Sequence, residues 1–233
     1  MDESKSAAGR PRAKHDHLGL RKRSECLVWA VAEQLRILDG GDALLIKAIQ
    51  HGRPPSPLIE RFLKDYGLWR WNAFKRGERV ETFIDIAEKR FRPRPPDLSK
   101  ADRPWHLAVE DFTGDGGPKP YSAFLKLYWF YQPHLLTMYD TYARKGLRAA
   151  EDLLGIRAVP RRVTDQNFLA RFEAVYQRLA PEIRKAIRMF GRRYPFERRV
   201  LDKYLWLLGV KEPESRLENF KASLKLAPLR GTK

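Results

Sequence analysis

The sequence predicts an all-α protein. Apolar residues recur at three- and four-residue spacing through most of the chain. No stretch alternates apolar and polar residues as a half-buried strand does, and no block of roughly 20–50 residues repeats as a solenoid would. With 233 residues, 43% hydrophobic and 12% aromatic, the chain can bury a core, unlike disordered polymers poor in aromatics. A domain runs to roughly 100–200 residues, so one large domain or two small interlocked ones are expected. No apolar run nears the roughly 18 residues of a membrane span. The polar, basic N-terminus lacks the apolar stretch of a secretory signal, so a cytoplasmic protein is expected.

Residues 1–23 read as a basic disordered tail, with "GRPRAKHDH" followed by "LRKR" and few large apolar residues. A first helical half is expected over 24–92. Ser24 is expected to cap a helix carrying Leu27, Val28, Val31, Leu35 and Leu38, which Gly40-Gly41 end. Asp42 opens a short helix through Ile49, before the breaker "GRPPSP". Pro57 suits the first turn of a third helix through Leu58, Phe62 and Tyr66. Val80, Phe83, Ile84, Ala87 and Phe91 mark a fourth. The segment 93–103, with "RPRPPDLSK", is expected to be a stiff extended linker.

A second helical half is expected over 104–226, and 227–233 is read as a tail. From Arg103 to Pro120 the main feature is the glycine-rich loop "TGDGGPKP". An aromatic helix follows from Tyr121 to Tyr131, closed by Pro133. The next helix, around Tyr139 to Leu154, is expected to break or bend near Gly146. Thr164 or Asp165 caps a long helix with Phe168, Phe172, Val175, Leu179, Ile183 and Ile187 on one face. Pro181 within it is expected to kink or split it. "FERRVLDKYLWLLG" gives a further helix stopped by Gly209.

Charge points to a partner. Lys and Arg number 46 against 29 Asp and Glu, a net +17, and the pI near 10.1 is the footprint of a protein that neutralises phosphates. Arg184, Lys185, Arg188, Arg192, Arg193, Arg198, Arg199 and Lys203 crowd into twenty positions beside Glu197 and Asp202. Arg184, Arg188 and Arg192 share one helix face. The candidate phosphate ligands are Lys119, Arg144, Lys145, Arg148, Arg192, Arg193, Arg198 and Arg199, and DNA is expected ahead of RNA. The same composition also suits an ordinary arginine-rich surface or a face that docks an acidic protein. No basic helix carries the wide apolar face of a membrane-surface helix, so no membrane partner is expected.

Few chemistries have support. His15 and His17 lie in the tail, His51, His106 and His134 are isolated, and Cys26 is the sole cysteine, so neither a metal nor a cofactor is expected. Cys26 reads as a small core residue. There is no Gly-x-Ser-x-Gly elbow, and Gly114-Asp115-Gly116-Gly117 lacks the Lys-Ser/Thr of a phosphate loop. The informative stretch is "YSAFLKLYWFYQPHLLTMYDTYARKGL". Asp140 there has two readings. It caps the next helix, or it stands beside aromatics and cations as a carboxylate that stabilises positive charge developing on a sugar. Tyr139 and Tyr142 flank it, and Trp69 and Trp71 alternate with Arg70 in a basic stretch that suits stacking on an extruded base. Equally, the two indoles pack in the core and over a helix junction.

Pro133, Asp140, Arg144 and Leu147 are spaced as in the helix-hairpin-helix DNA glycosylase superfamily, which the chain resembles most in its alkyladenine-type branch. "FERRVLDKYLW" is similar to that family's "PWRSYAALYLW" through Arg198, Tyr204, Leu205 and Trp206. A likeness also exists to uncharacterised bacterial proteins carrying "SKY…W…P…YPIYDS" and "LDKFLW", through Lys126, Trp129, Pro133, Tyr139, Asp140, Leu201, Asp202, Lys203, Leu205 and Trp206. The two blocks span roughly residues 114–209. The resemblance implies two helical halves around a cleft, base flipping, and Asp140 as the catalytic carboxylate. The chain departs from the pattern at the hairpin, where "GDGGPKPYSA" replaces "LPGIGPWTA", and the lysine of bifunctional members has no counterpart in register. Lys119 lies near that position, and Lys126 comes seven residues late. Monofunctional, Asp-assisted cleavage of the N-glycosidic bond is therefore the expected activity, with Tyr139, Tyr142, Trp69 and Trp71 around the base. The alternative is a nucleic-acid-binding or assembly module that keeps the fold without chemistry.

Overall fold

The computed structural model describes residues 23–69, 74, 78–92, 102–114, 119–138, 140–191 and 194–226, and among these every regular element is helical. The expected tails apart from Arg23, which is helical, most of the Pro-rich linker, the centre of the glycine-rich loop, and Trp71, Tyr139, Arg192 and Arg193 lie outside the described residues. In chain order the helices are α1 (Arg23–Ile37), α2 (Ala43–His51), α3 (Ser56–Asp65), α4 (Glu78–Phe91), α5 (Asp102–Thr113), α6 (Tyr121–Tyr131), α7 (Thr141–Leu153), α8 (Asp165–Arg188), α9 (Glu197–Gly209) and α10 (Pro213–Leu226).

Helix α6 is central. Ala123 through Phe130 are all buried, so the helix is enclosed on every side, as its apolar composition requires. Phe83 packs 4.5 Å from Phe124 and Phe91 stacks 4.4 Å from Tyr128 between ring centres, which joins α4 to α6. Trp105 of α5 donates its indole N–H to the Tyr121 carbonyl at 2.8 Å. Helix α5 itself replaces an expected loop-bearing stretch: Trp105, Ala108, Val109 and Phe112 keep the helical spacing, but Pro104 and the glycines beyond obscure it.

The α1 helix packs on α8 and α9 from the other end of the chain. Arg23 donates to both oxygens of Glu182 at 2.8 Å, so the first described residue is pinned to α8. Ser24 lies within α1 rather than ahead of it. The glycines do end α1: the helix stops at Ile37, and Leu38–Asp42 links it to α2 across a kink at Gly41, whose φ of 154° and ψ of −26° side-chain-bearing residues rarely adopt.

Helix α7 is not broken at Gly146, and α8 is not split at Pro181, which lies inside one continuous helix. Gly146 has a packing role instead. A Cβ there would stand 1.7 Å from the Leu205 carbonyl oxygen, and one on Gly209 would stand 1.9 Å from the Tyr142 carbonyl oxygen. Tyr142 meets Gly209 while Gly146 meets Leu205, so α7 and α9 run antiparallel with their backbones in contact. On the far side of α7, buried Glu151 is held by Arg171 of α8, whose Nε donates at 2.7 Å and whose third nitrogen donates to the Pro160 carbonyl at 3.0 Å.

Candidate functional site

A cleft of about 630 Å³ opens between the Leu38–Asp42 turn and the α6–α9 face, within the size range of small-molecule pockets. Its wall on one side is Gly40, Gly41 and Asp42 with Asp65, Tyr66 and Gly67; on the other are Lys126, Met138, Asp140, Arg199, Asp202, Lys203 and Trp206.

Asp140 is a helix cap, the first of its two sequence readings, and it also lies in the cleft lining. Its backbone is extended, φ −150° and ψ 175°, which turns the side chain back over the start of α7. One carboxylate oxygen accepts the Ala143 N–H at 2.7 Å. The other faces Lys126, whose ammonium is 3.9 Å away. The side chain is 25% exposed, and it lines the cleft. Asp140 therefore caps α7 and still presents an oxygen to the cavity.

Lys126 is the residue that the sequence hides. It is the one charge in the buried run of α6 and only 9% exposed. Burial lowers its pKa from the usual lysine range, while Asp140 and Asp202 pull the other way. A lysine amid aromatics on an enclosed helix was the available signal, because burying an ammonium is costly unless a carboxylate lies beside it.

Behind these two residues lies a buried polar strip. Arg199 is 4% exposed; it pairs closely with Asp202 and donates at 3.2 Å to the Tyr66 hydroxyl. Tyr66 in turn donates to Asp42, 2.8 and 3.1 Å from its two oxygens. Burial pushes Asp202 up to about 6, against the pull of Arg199. Burial also raises Asp42, with Arg199 and the Tyr66 bond opposing, and holds Tyr66 well above the usual phenol range. For Arg199 burial works against the charge, but Tyr66, Asp202 and Asp42 outweigh it and its pKa rises. Lys203 is drawn down to about 8 by burial and by Arg199. Its ammonium lies 4.4 Å from the Trp206 ring centre, and Trp206 stacks at 12° on Trp29.

Other candidate residues fall elsewhere. Arg199, expected on a phosphate-binding surface, is instead part of the cleft floor. Arg198 is spent internally as well: it donates to both Glu173 oxygens at 2.9 and 3.0 Å and to the His134 carbonyl at 2.9 Å. Lys119, Lys145 and Arg148 are exposed and Arg144 is half-buried; none lines the cleft. Tyr142 is 42% exposed and meets Trp206 edge-on at 5.9 Å, beside the lining rather than in it. Trp69 packs partly buried against the core under Lys64, 4.9 Å from its ring centre, and also lies outside the cleft. The aromatic residues that do line it are Tyr66 and Trp206. Among the described residues no cluster of three potential metal ligands occurs, and no helix is long and apolar enough to cross a membrane.

Neither a protein-family model, nor a curated protein, nor a solved structure matches this chain.

Proposed function

We propose that the protein binds DNA and hydrolyses an N-glycosidic bond, with the nucleotide extruded into the cleft and Asp140 at the reacting sugar. The observation that carries this reading is the second oxygen of Asp140. It is left over from the helix cap, faces a cleft of about 630 Å³ that has room for a nucleotide, and has the Lys126 ammonium 3.9 Å away. As the bond between base and C1′ breaks, the base leaves with the electron pair and the sugar becomes cationic. A carboxylate fixed beforehand by its cap lowers the energy of that charge without having to reorganise. Water then adds to C1′ and gives its proton to Asp140; the departing base takes up a proton from solvent, to which Asp140 returns the one it received. Tyr66, Met138 and Trp206 supply the walls against which a ring would lie. Lys203 at the rim, with Lys145 and Arg148 on the exposed face of α7, is suited to the flanking phosphates.

Asp140→Asn tests it, because asparagine keeps the cap acceptor and removes the charge. On oligonucleotides carrying damaged bases, base release should fall by at least about a hundredfold, while DNA affinity holds and the melting temperature drops modestly as the buried Lys126 loses its nearest carboxylate. Release at the normal rate overturns the assignment. A non-catalytic nucleic-acid-binding module is the second reading, favoured by the capping bond that already employs Asp140. It gains if no lesion is released and an abasic-analogue duplex binds no tighter than an intact one.

A further inference from the structure

Asp42 is the least explained group in the cleft. It is 8% exposed, it lines the cavity, and no cap bond uses its side chain. Among the described residues its carboxylate receives one hydrogen, shared between its oxygens, from Tyr66. An ionised carboxylate has about four acceptor sites, and buried acceptors are normally satisfied. Acceptor capacity is therefore left facing the cavity.

The orientation of this carboxylate is also fixed. Arg199 donates to the Tyr66 oxygen, so the single Tyr66 hydrogen must point to Asp42, and the chain Arg199 to Tyr66 to Asp42 runs in one direction. From behind, Gly41 in its left-handed conformation turns the backbone so that Asp42 meets the cavity as α2 begins. Across the cleft, the Lys126 ammonium lies 5.7 Å from the Tyr66 ring centre. The Tyr66 ring thus stands between the Lys126–Asp140 pair and the Asp42 acceptor.

We propose, on the strength of the base-pocket reading above, that Asp42 reads the Watson–Crick edge of the extruded base and selects a guanine-type ring. Guanine presents two adjacent N–H donors on that edge, which one carboxylate accepts together. Adenine and cytosine set a ring-nitrogen acceptor beside their amino group, and thymine places a carbonyl on either side of its single N–H; each brings a lone pair against the carboxylate. A well-placed bidentate contact of this kind discriminates by roughly 1–3 kcal/mol, or about ten- to a hundredfold in affinity.

Free methylated bases test this without any turnover. Ligand-observed NMR titration of the full chain with 9-methylguanine, 9-methyladenine, 1-methylcytosine and 1-methylthymine should rank 9-methylguanine first by about tenfold or more. Asp42→Asn should erase that preference, and Asp140→Asn should keep it. Removing one donor from the ligand, as in 1,9-dimethylguanine, should cost the same factor in the unaltered protein, which preserves the test if Asp42→Asn fails to fold. Equal binding of the four bases, no binding of any, or an undiminished affinity for the dimethylated ring overturns the proposal. A base-releasing enzyme without guanine preference would refute the Asp42 assignment alone. Guanine-selective binding without base release in any substrate would refute the catalytic reading alone.

Discussion

Two contacts that α9 makes around the cleft are built by different physics. Where α9 meets α7, backbone meets backbone at Gly146 and Gly209, and position is set by steric exclusion. Where α9 meets Tyr66 and the Leu38–Asp42 turn, position is set by charges and hydrogen bonds through Asp42, Tyr66, Arg199 and Asp202. A polar arrangement can be replaced as a set, because a buried ion pair exchanged for apolar residues often costs little, whereas removing one partner alone is expensive. A backbone contact has no second side chain to trim.

The largest effect is expected from Arg199→Met, which leaves Asp202 buried without its partner and should cost about 3–5 kcal/mol in urea unfolding. The double variant Arg199→Met with Asp202→Leu should recover much of that loss. If it recovers none, the charged contact is not replaceable and the contrast fails. Gly146→Ala comes next, with an overpacking cost of about 3 kcal/mol. No truncation of the Leu205 side chain should rescue it, since the clash is with the carbonyl of that residue. An alanine variant with the same urea midpoint as the parent would show that α7 and α9 can slide apart.

A pH dependence should belong to the polar contact only. Asp202 is held up near 6 by burial, above its ordinary value, so the folded chain keeps a proton that the unfolded chain releases between about pH 4 and 6. The unfolded state then binds fewer protons, and stability should fall as pH rises through that window. Asp202→Asn should remove this component, visible as a pH-dependent gap between variant and parent, whereas Gly146→Ala should lower stability by the same amount at every pH. The smallest effect concerns Lys203, drawn down to about 8. On the proposed DNA-binding reading, affinity should drop a few-fold between pH 7 and 9, and Lys203→Arg, which stays charged, should flatten that profile in a fluorescence titration.

Much of the fold was legible, because α1, α3, α4, α6, α8 and α9 show their periodicity directly. Gly146 was read as a break since glycine weakens a helix interior; only the approach of α9 shows why it is there. The candidate site was legible at Asp140, which follows a proline-closed helix and opens the next. Lys126 was hidden by the apolar run around it, and Asp42 by resembling an ordinary helix start. Arg199 and Tyr66, 133 positions apart, meet through tertiary packing alone, and no local pattern records that meeting.

The glycine crossing also decides how the cleft is held. With α7 and α9 in backbone contact, Asp140 at the head of one and Lys203 and Trp206 on the other move as a single anvil. Arg199 of the same α9 reaches Tyr66, and Tyr66 reaches Asp42, so the opposite wall is braced on that anvil rather than hinged against it. The carboxylate proposed for the chemistry and the one proposed for reading the base are thus both referenced to one helix.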